Sequence, residues 1–188
     1  MSLHQFDLFA PAPVVSGLRQ AENFVTPEEE RELSARIDAA GLAPFQFHGW
    51  EGKRLTGSYG YAYDFQRGRV LDAPPLPEWL LPLRERAARF AGEEPDTFVQ
   101  ALLIRYDSGA GIGWHRDRPQ FGKVVGISLG EPVTMRLRRR TATGFERRAL
   151  ALPPRSIYLL DGEVRQEWEH SIVPVERPRR SITFRTLR

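Results

Sequence analysis

From Thr97 onward, apolar residues recur in short runs set off by Gly, Pro or charged turns: TFVQALLIRY, KVVGISLG, VTMRLRRR, RRALAL, SIYLLDG, HSIVPV and SITFRTL. Runs of this length, rich in branched and aromatic side chains, predict strands, and their even spacing predicts a sandwich or barrel. Upstream the pattern changes. TPEEERELSARIDAAG predicts a helix in which Thr26 caps, Pro27 takes the first helical position and Glu29 completes a capping box. Gly41 stands where a left-handed residue ends such a helix. PLPEWLLPLRERAARFAG predicts a second helix closed by Gly92. Between the two, GKRLTGSYGYAYDFQRGR is glycine- and aromatic-rich and reads as strands and loops. The expectation is helices first, then an all-β core.

Composition narrows the chemistry. A chain of 188 residues fits one domain, 1–188, able to bury its own core. With no cysteine, disulfides, iron–sulfur clusters and zinc–thiolate sites are excluded. The start, MSLHQFDLFAPAP, lacks a basic segment followed by an apolar one, and no apolar run approaches the ~20 residues of a membrane span. The expectation is a cytoplasmic protein with no membrane partner. Residues 1–97 carry 10 basic and 15 acidic side chains and residues 98–188 carry 17 and 9, so the halves balance at −5 and +8. That asymmetry suggests a polyanionic partner for the second half. Arginine outnumbers lysine 25 to 2; it suits phosphate through its planar fork, although a GC-rich genome gives the same bias.

Candidate chemistry starts at GIGWHRDRPQFG. A non-heme iron centre commonly uses two imidazoles and one carboxylate, leaving positions open. On extended backbone, His115 and Asp117 project to the same side. Of the four histidines, His4 lies near the terminus, and His170, heading a strand after QEWE, is the natural third ligand beside His48 as the remainder. Alone, His-x-Asp is equally a hydrogen-bonded loop feature. The last strand, RRSITFRTLR, adds a second constellation. Period-two alternation puts Arg179, Ser181, Thr183 and Arg185 on one face and Arg180, Ile182, Phe184 and Thr186 on the other. Either the first face meets water, or it lines a pocket whose arginines clamp a small dicarboxylate. Their Cα atoms stand roughly 20 Å apart on a straight strand, so the side chains would have to converge.

Taken together, His115-x-Asp117, His170 after 52 intervening residues, and Arg179-x5-Arg185 within RRSITFR resemble the AlkB family of iron(II)- and 2-oxoglutarate-dependent dioxygenases. LLIRYDSGAGIGWHRD, VVGISLG and LPPRSIYLLDGE match the same family, closely over 97–188 and more loosely before. The resemblance implies an α+β fold, a double-stranded β-helix (jelly-roll) core over 97–188, with helices and a nucleotide-recognition lid over 1–96. It implies that His115, Asp117 and His170 hold Fe(II), and that Tyr106, Arg179, Arg185 and Ser181 bind 2-oxoglutarate, with O2 as the oxidant. The activity implied is oxidative dealkylation of N-alkylated bases in single-stranded DNA or RNA, releasing formaldehyde, succinate and CO2, by a monomer needing no obligate protein partner.

Substrate contacts carried over are Arg54, Tyr61, Tyr63 and Arg118. Arg54 falls near the position of the bacterial repair prototype's stacking tryptophan, and an arginine plane also stacks on a base. Two departures weaken the link to DNA repair: Pro119 stands where the prototype has an acidic base-reading residue, and Ile104 where an asparagine often precedes Arg-Tyr. A tRNA base, a protein side chain or a small molecule stays open as the substrate, as does a nucleic-acid-binding jelly-roll with a vestigial metal site. The hairpin RLRRRTATGFERR either tracks a phosphate backbone or is a solvated hairpin. Trp50, Trp114 and Trp168 are expected to pack rather than to serve as base platforms.

Overall fold

The computed structural model describes residues 14–47, 50–64 and 69–188, with backbone alone for 46, 47, 50, 51, 62–64 and 69–72. His4 and His48 lie outside the described residues. The order is β1 (Leu18–Ala21), α1 (Pro27–Ala39), β2 (Ala43–Phe47), β3 (Trp50–Tyr59), β4 (Tyr61–Asp64) and β5 (Arg69–Asp72). A single 3₁₀ turn then leads into α2 (Leu81–Ala91), followed by β6 (Phe98–Tyr106), β7 (Ile112–His115), β8 (Phe121–Gly130), β9 (Val133–Thr141) and β10 (Gly144–Leu152). The chain finishes with β11 (Ser156–Leu160), α3 (Gly162–Glu167), β12 (Glu169–Ile172) and β13 (Arg179–Leu187).

Both punctuated helices form. Thr26 and Glu29 exchange the two bonds of a capping box at α1, and Gly92 ends α2 at φ +70°. The strands build a seven-stranded sheet ordered β1-β11-β8-β13-β6-β3-β2, a four-stranded sheet ordered β10-β9-β12-β7, and the separate β4–β5 pair. The expectation of helices first and strands after is therefore too simple. β1, β2 and β3 extend the large sheet at both ends, and α3 interrupts the C-terminal strands. Six residues are too few to display a helical period, which is why α3 does not show in the pattern; Asp161 marks its start by accepting from the Gly162 N–H.

Alternation along β13 places the site. Ile182 and Phe184 turn outward into a core shared with Leu33 and Ile37 of α1 and Leu83, Ala87 and Ala88 of α2. Burying each such large side chain contributes about 1.5–3 kcal/mol. The opposite face looks toward the small sheet, where Val124, Tyr158 and Leu160 meet Met135 and Leu137. Helices thus back the large sheet, and its polar positions on β13 are left facing the space between sheets. No helix among the described residues is long and apolar enough to cross a membrane.

Candidate metal centre and cosubstrate cavity

β7 and β12 are antiparallel neighbours, and His115 pairs with His170 in their register. Cross-strand partners project to the same face, so the two rings come to 4.2 Å between centroids. Asp117, two residues past His115, brings its Oδ2 to 3.7 Å from His170 Nε2. The three sequence-predicted donors therefore converge from separated stretches. No three carboxylate or imidazole groups among the described residues already stand as a closed ligand set. What suits these three to a divalent ion is their chemistry.

Each donor is held in its metal-binding protonation state. His115 Nδ1 lies 2.9 Å from the Gly113 carbonyl, which can only accept, so Nδ1 carries the proton and Nε2 keeps its lone pair. Burial pushes the His115 pKa down, though Asp117 and the Gly113 carbonyl pull it back. Burial, reinforced by His115, lowers His170 to about 3. Burial alone would raise the Asp117 carboxyl; Arg185 and then the two histidines outweigh it and hold it below the usual carboxylate range. At neutral pH the cluster is two neutral imidazoles and one carboxylate, the donor set of a non-heme iron(II) site.

Arg185 fixes the carboxylate. Its Nε and Nη2 donate to Asp117 Oδ1 at 3.1 and 2.9 Å, and its Nη1 to Gln100 Oε1 at 3.0 Å. Arg179 is the largest fully buried side chain among the described residues, 1% exposed. Its Nη2 donates to Ser128 Oγ at 3.2 Å, while Nε and Nη1 have no partner. A buried cation with two orphaned donor nitrogens is expensive unless an anion completes it. A carboxylate arm in this cavity would do so. The first face of β13 is thus pocket lining and not solvent-facing: Arg179, Ser181, Thr183 and Arg185 share one cavity with Tyr106, His115, Asp117 and His170.

Tyr158 also lines this cavity and was not singled out from the sequence. It lies in the uniformly buried run SIYLL, where nothing in the pattern separates it from its neighbours. The signal was across the sheet. Gly126 pairs with Tyr158, and a Cβ there would sit 2.2 Å from the phenol ring; a glycine inside a strand marks such an approach. Burial pushes the Tyr158 hydroxyl up to about 12, so it stays protonated as a donor. Gln100 and Arg165 were missed too. Arg165 is buried and donates to the Arg118, Phe121 and Gly122 carbonyls, gripping the loop that follows Asp117.

The substrate candidates divide. Arg54 lines the cavity beside His115, with its guanidinium 4.0 Å from the centre of the Phe45 ring. Tyr61 and Arg118 do not line it. Tyr61 offers its carbonyl to Gln100 Nε2 at 2.9 Å, and the Arg118 carbonyl is taken by Arg165. Tyr63 lies on β4, and its side chain, like that of Trp50, falls outside the described residues. Trp168 is buried as packing, whereas Trp114 is half-buried under Arg136 and Arg138. Half of the basic hairpin's arginines are ion-paired in place: Arg138 pairs with Glu169, Arg148 with Glu146, and Arg139 with Glu146, Glu163 and Glu167. A larger cavity, about 430 Å3, opens beside Lys123 and Arg188. It contains no imidazole, and Lys123 is spent on Glu93 and Asp161, so the chemistry belongs to the smaller one.

A family model described as the 2OG-Fe(II) oxygenase superfamily matches residues 17–187. The chain belongs to that superfamily. Within it the oxygenase is AlkB-like. It is 30% identical over 186 residues to the Alkylated DNA repair protein ALKBH8 homolog of Arabidopsis thaliana, covering 84% of this chain and 51% of that protein. It is 27% identical over 175 residues to the tRNA (carboxymethyluridine(34)-5-O)-methyltransferase alkbh8 of Xenopus tropicalis, covering 84% of this chain and 25% of that protein. The oxygenase thus spans from a quarter to half the length of these relatives. Its fold matches the structure of OsALKBH1, with a TM-score of 0.69 at 15% identity over 90% of this chain and 96% of that one. A prolyl-4-hydroxylase of Pseudomonas putida matches with a TM-score of 0.57 at 17% identity over 92% and 93%. The architecture is therefore the expected double-stranded β-helix. Membership brings iron(II), 2-oxoglutarate and O2 as the working cofactors of the class, and oxidoreductase chemistry with them.

Proposed function

We propose that this oxygenase removes alkyl groups oxidatively from nucleic-acid bases, with His115, Asp117 and His170 as iron ligands and Arg179 as the anchor of 2-oxoglutarate. The observation that carries the reading is the pairing, in one cavity, of a neutral two-imidazole, one-carboxylate cluster with a buried arginine whose Nε and Nη1 are unpartnered. Bound iron(II) would supply dioxygen activation coupled to decarboxylation of the cosubstrate. The atoms balance. One oxygen ends in succinate, and the other becomes a hydroxyl on the N-alkyl carbon. That N–CH2OH group then expels formaldehyde as its hydroxyl proton passes to the ring nitrogen.

The chain's own groups position and exclude. Arg179 takes the distal carboxylate, and Ser181 and Tyr106 lie on the same cavity wall. Tyr158, protonated and lining the same cavity, offers a hydroxyl donor. Arg185 orients Asp117 so that Oδ2 faces the imidazoles. Arg54 and His115 form the walls between which an extruded base would stack. The relatives named for tRNA support a second reading, in which the same oxidation hydroxylates a tRNA base. The methyltransferase activity in those names does not carry over, because the oxygenase covers only about a quarter of that Xenopus protein.

Mass spectrometry of methylated single-stranded DNA and RNA after incubation with the iron-loaded enzyme separates the two. Restored bases with stoichiometric formaldehyde support dealkylation; base products heavier by one oxygen support the second reading. Asp117→Ala, folded by circular dichroism, is expected to lose at least 100-fold in succinate formation, on the order seen when a metal site's supporting groups are removed. Normal turnover by that variant would overturn the ligand assignment.

A further inference from the structure

We infer that the base accepted by this cavity is electrically neutral and carbonyl-bearing, and that Arg54 is the residue that discriminates against bases carrying a positive charge. The inference rests on the dealkylation reading and specifies its substrate. N-methylation of a ring nitrogen has two electrical outcomes. In 3-methylcytosine or 1-methyladenine the ring is cationic at neutral pH and carries an exocyclic amino group beside the methylated nitrogen, whereas in 3-methyluracil or 1-methylguanine it is neutral and carries a carbonyl oxygen at that position.

The cavity's charges favour the second kind. Its lining carries three arginines, Arg54, Arg179 and Arg185, and Asp117 is the single carboxylate among the described residues there. Arg185 already occupies one oxygen of that carboxylate. A dication and a dicarboxylate cosubstrate offset one another, so their arrival leaves the arginine excess in place. Among the described residues lining the cavity, no second carboxylate is present to compensate a cationic ring. The residue two positions beyond Asp117 is Pro119, which brings no charge. The carbonyls of Arg118, Phe121 and Gly122 on the same loop are turned onto Arg165. Both imidazoles are donors to the metal and cannot serve.

Arg54 is the arginine left for substrate, since Arg185 is bound to Asp117 and Arg179 to Ser128 and the cosubstrate's place. It is half-buried, stacked on Phe45, and lines the cavity together with His115. In such surroundings like charges repel more strongly than in water. A guanidinium donates and never accepts, so it pairs with a carbonyl oxygen but not with the amino group of 3-methylcytosine.

The test uses one oligonucleotide carrying either 3-methyluracil or 3-methylcytosine at a single position. The two differ in charge and in one exocyclic group. At fixed ionic strength the backbone contribution is common to both. The wild-type enzyme is expected to demethylate the neutral base with kcat/KM at least ten-fold higher. Arg54→Glu is expected to invert the preference, and Arg54→Gln to bring the ratio close to one. Equal handling of the two bases by the wild type, or a ratio unmoved by Arg54→Glu, overturns the inference and leaves dealkylation standing. Demethylation of neither base or of 1-methylguanine, with succinate still formed, overturns the dealkylation reading and the inference with it.

Discussion

Arg179 donates through one nitrogen to Ser128 and leaves two others without a protein partner in a side chain only 1% exposed. A planar fork meets a carboxylate with two parallel bonds, whereas an ammonium meets it as a point charge. Arg179→Lys keeps the charge and loses the fork. The KM for 2-oxoglutarate is expected to rise at least ten-fold with a smaller change in kcat, measured as succinate formed across a cosubstrate titration. An unchanged KM would place the anchoring carboxylate elsewhere. At this scale much was legible. His115 and His170 belong to a residue type used only four times in the chain, Asp117 stands two residues from the first of them, and alternation put Arg179 and Arg185 on one face. Across roughly 20 Å of straight strand a shared clamp asks the two side chains to converge, which spacing allows without demanding; both line one cavity, with Arg185 bonded to Asp117 and Arg179 to Ser128.

Elements communicate through Gln100, which is 3% exposed on β6. Its amide nitrogen holds the Tyr61 carbonyl at the start of β4, and its amide oxygen accepts from Arg185, which in turn binds Asp117. One side chain thus ties the β4–β5 pair to the Asp117 carboxylate. Gln100→Ala leaves both the Tyr61 carbonyl and Arg185 Nη1 unpaired, at roughly 1–3 kcal/mol of stability for the buried groups. It should also loosen the link between substrate engagement and oxidation. Succinate formed per substrate molecule oxidised is expected to climb several-fold, and a ratio equal to wild type would deny the connection. Sequence reading could not have found this. A glutamine inside TFVQALLIRY looks like any polar alternate of a strand, and only the strand order, with β6 between β13 and β3, sets it against both neighbours. α3 escaped for a similar reason, being shorter than two helical turns. The helices with caps, by contrast, were bounded by chemistry local to the chain: Thr26, Glu29 and Gly92 act on their own backbone.

Across the whole molecule the buried cluster makes stability depend on pH. Both imidazoles resist protonation when folded, His170 down to about 3. Below the ordinary histidine pKa of about 6.5, the unfolded chain therefore binds more protons than the folded one. Stability from the neutral rings is complete above that pH and is lost as pH falls from about 6.5 toward 3, at up to about 1.4 kcal/mol per unit for each ring. Urea midpoints of the metal-free protein are expected to drop steadily between pH 7 and pH 4.5, and His170→Gln to lessen the slope. A flat profile would mean that the rings take up protons in the fold as readily as in the unfolded chain.

The rung that joins His115 to His170 has one more implication. β7 is only four residues long and lies at the open margin of its sheet, held on one side by β12. An ion gripped by both rings would rivet that margin shut, doing for a short strand what a cross-link does for a loop. Stripping the metal with a chelator should then speed amide exchange at 112–115 well before the helix-backed sheet responds. In this fold the catalytic ion would double as the fastener of the wall it sits on.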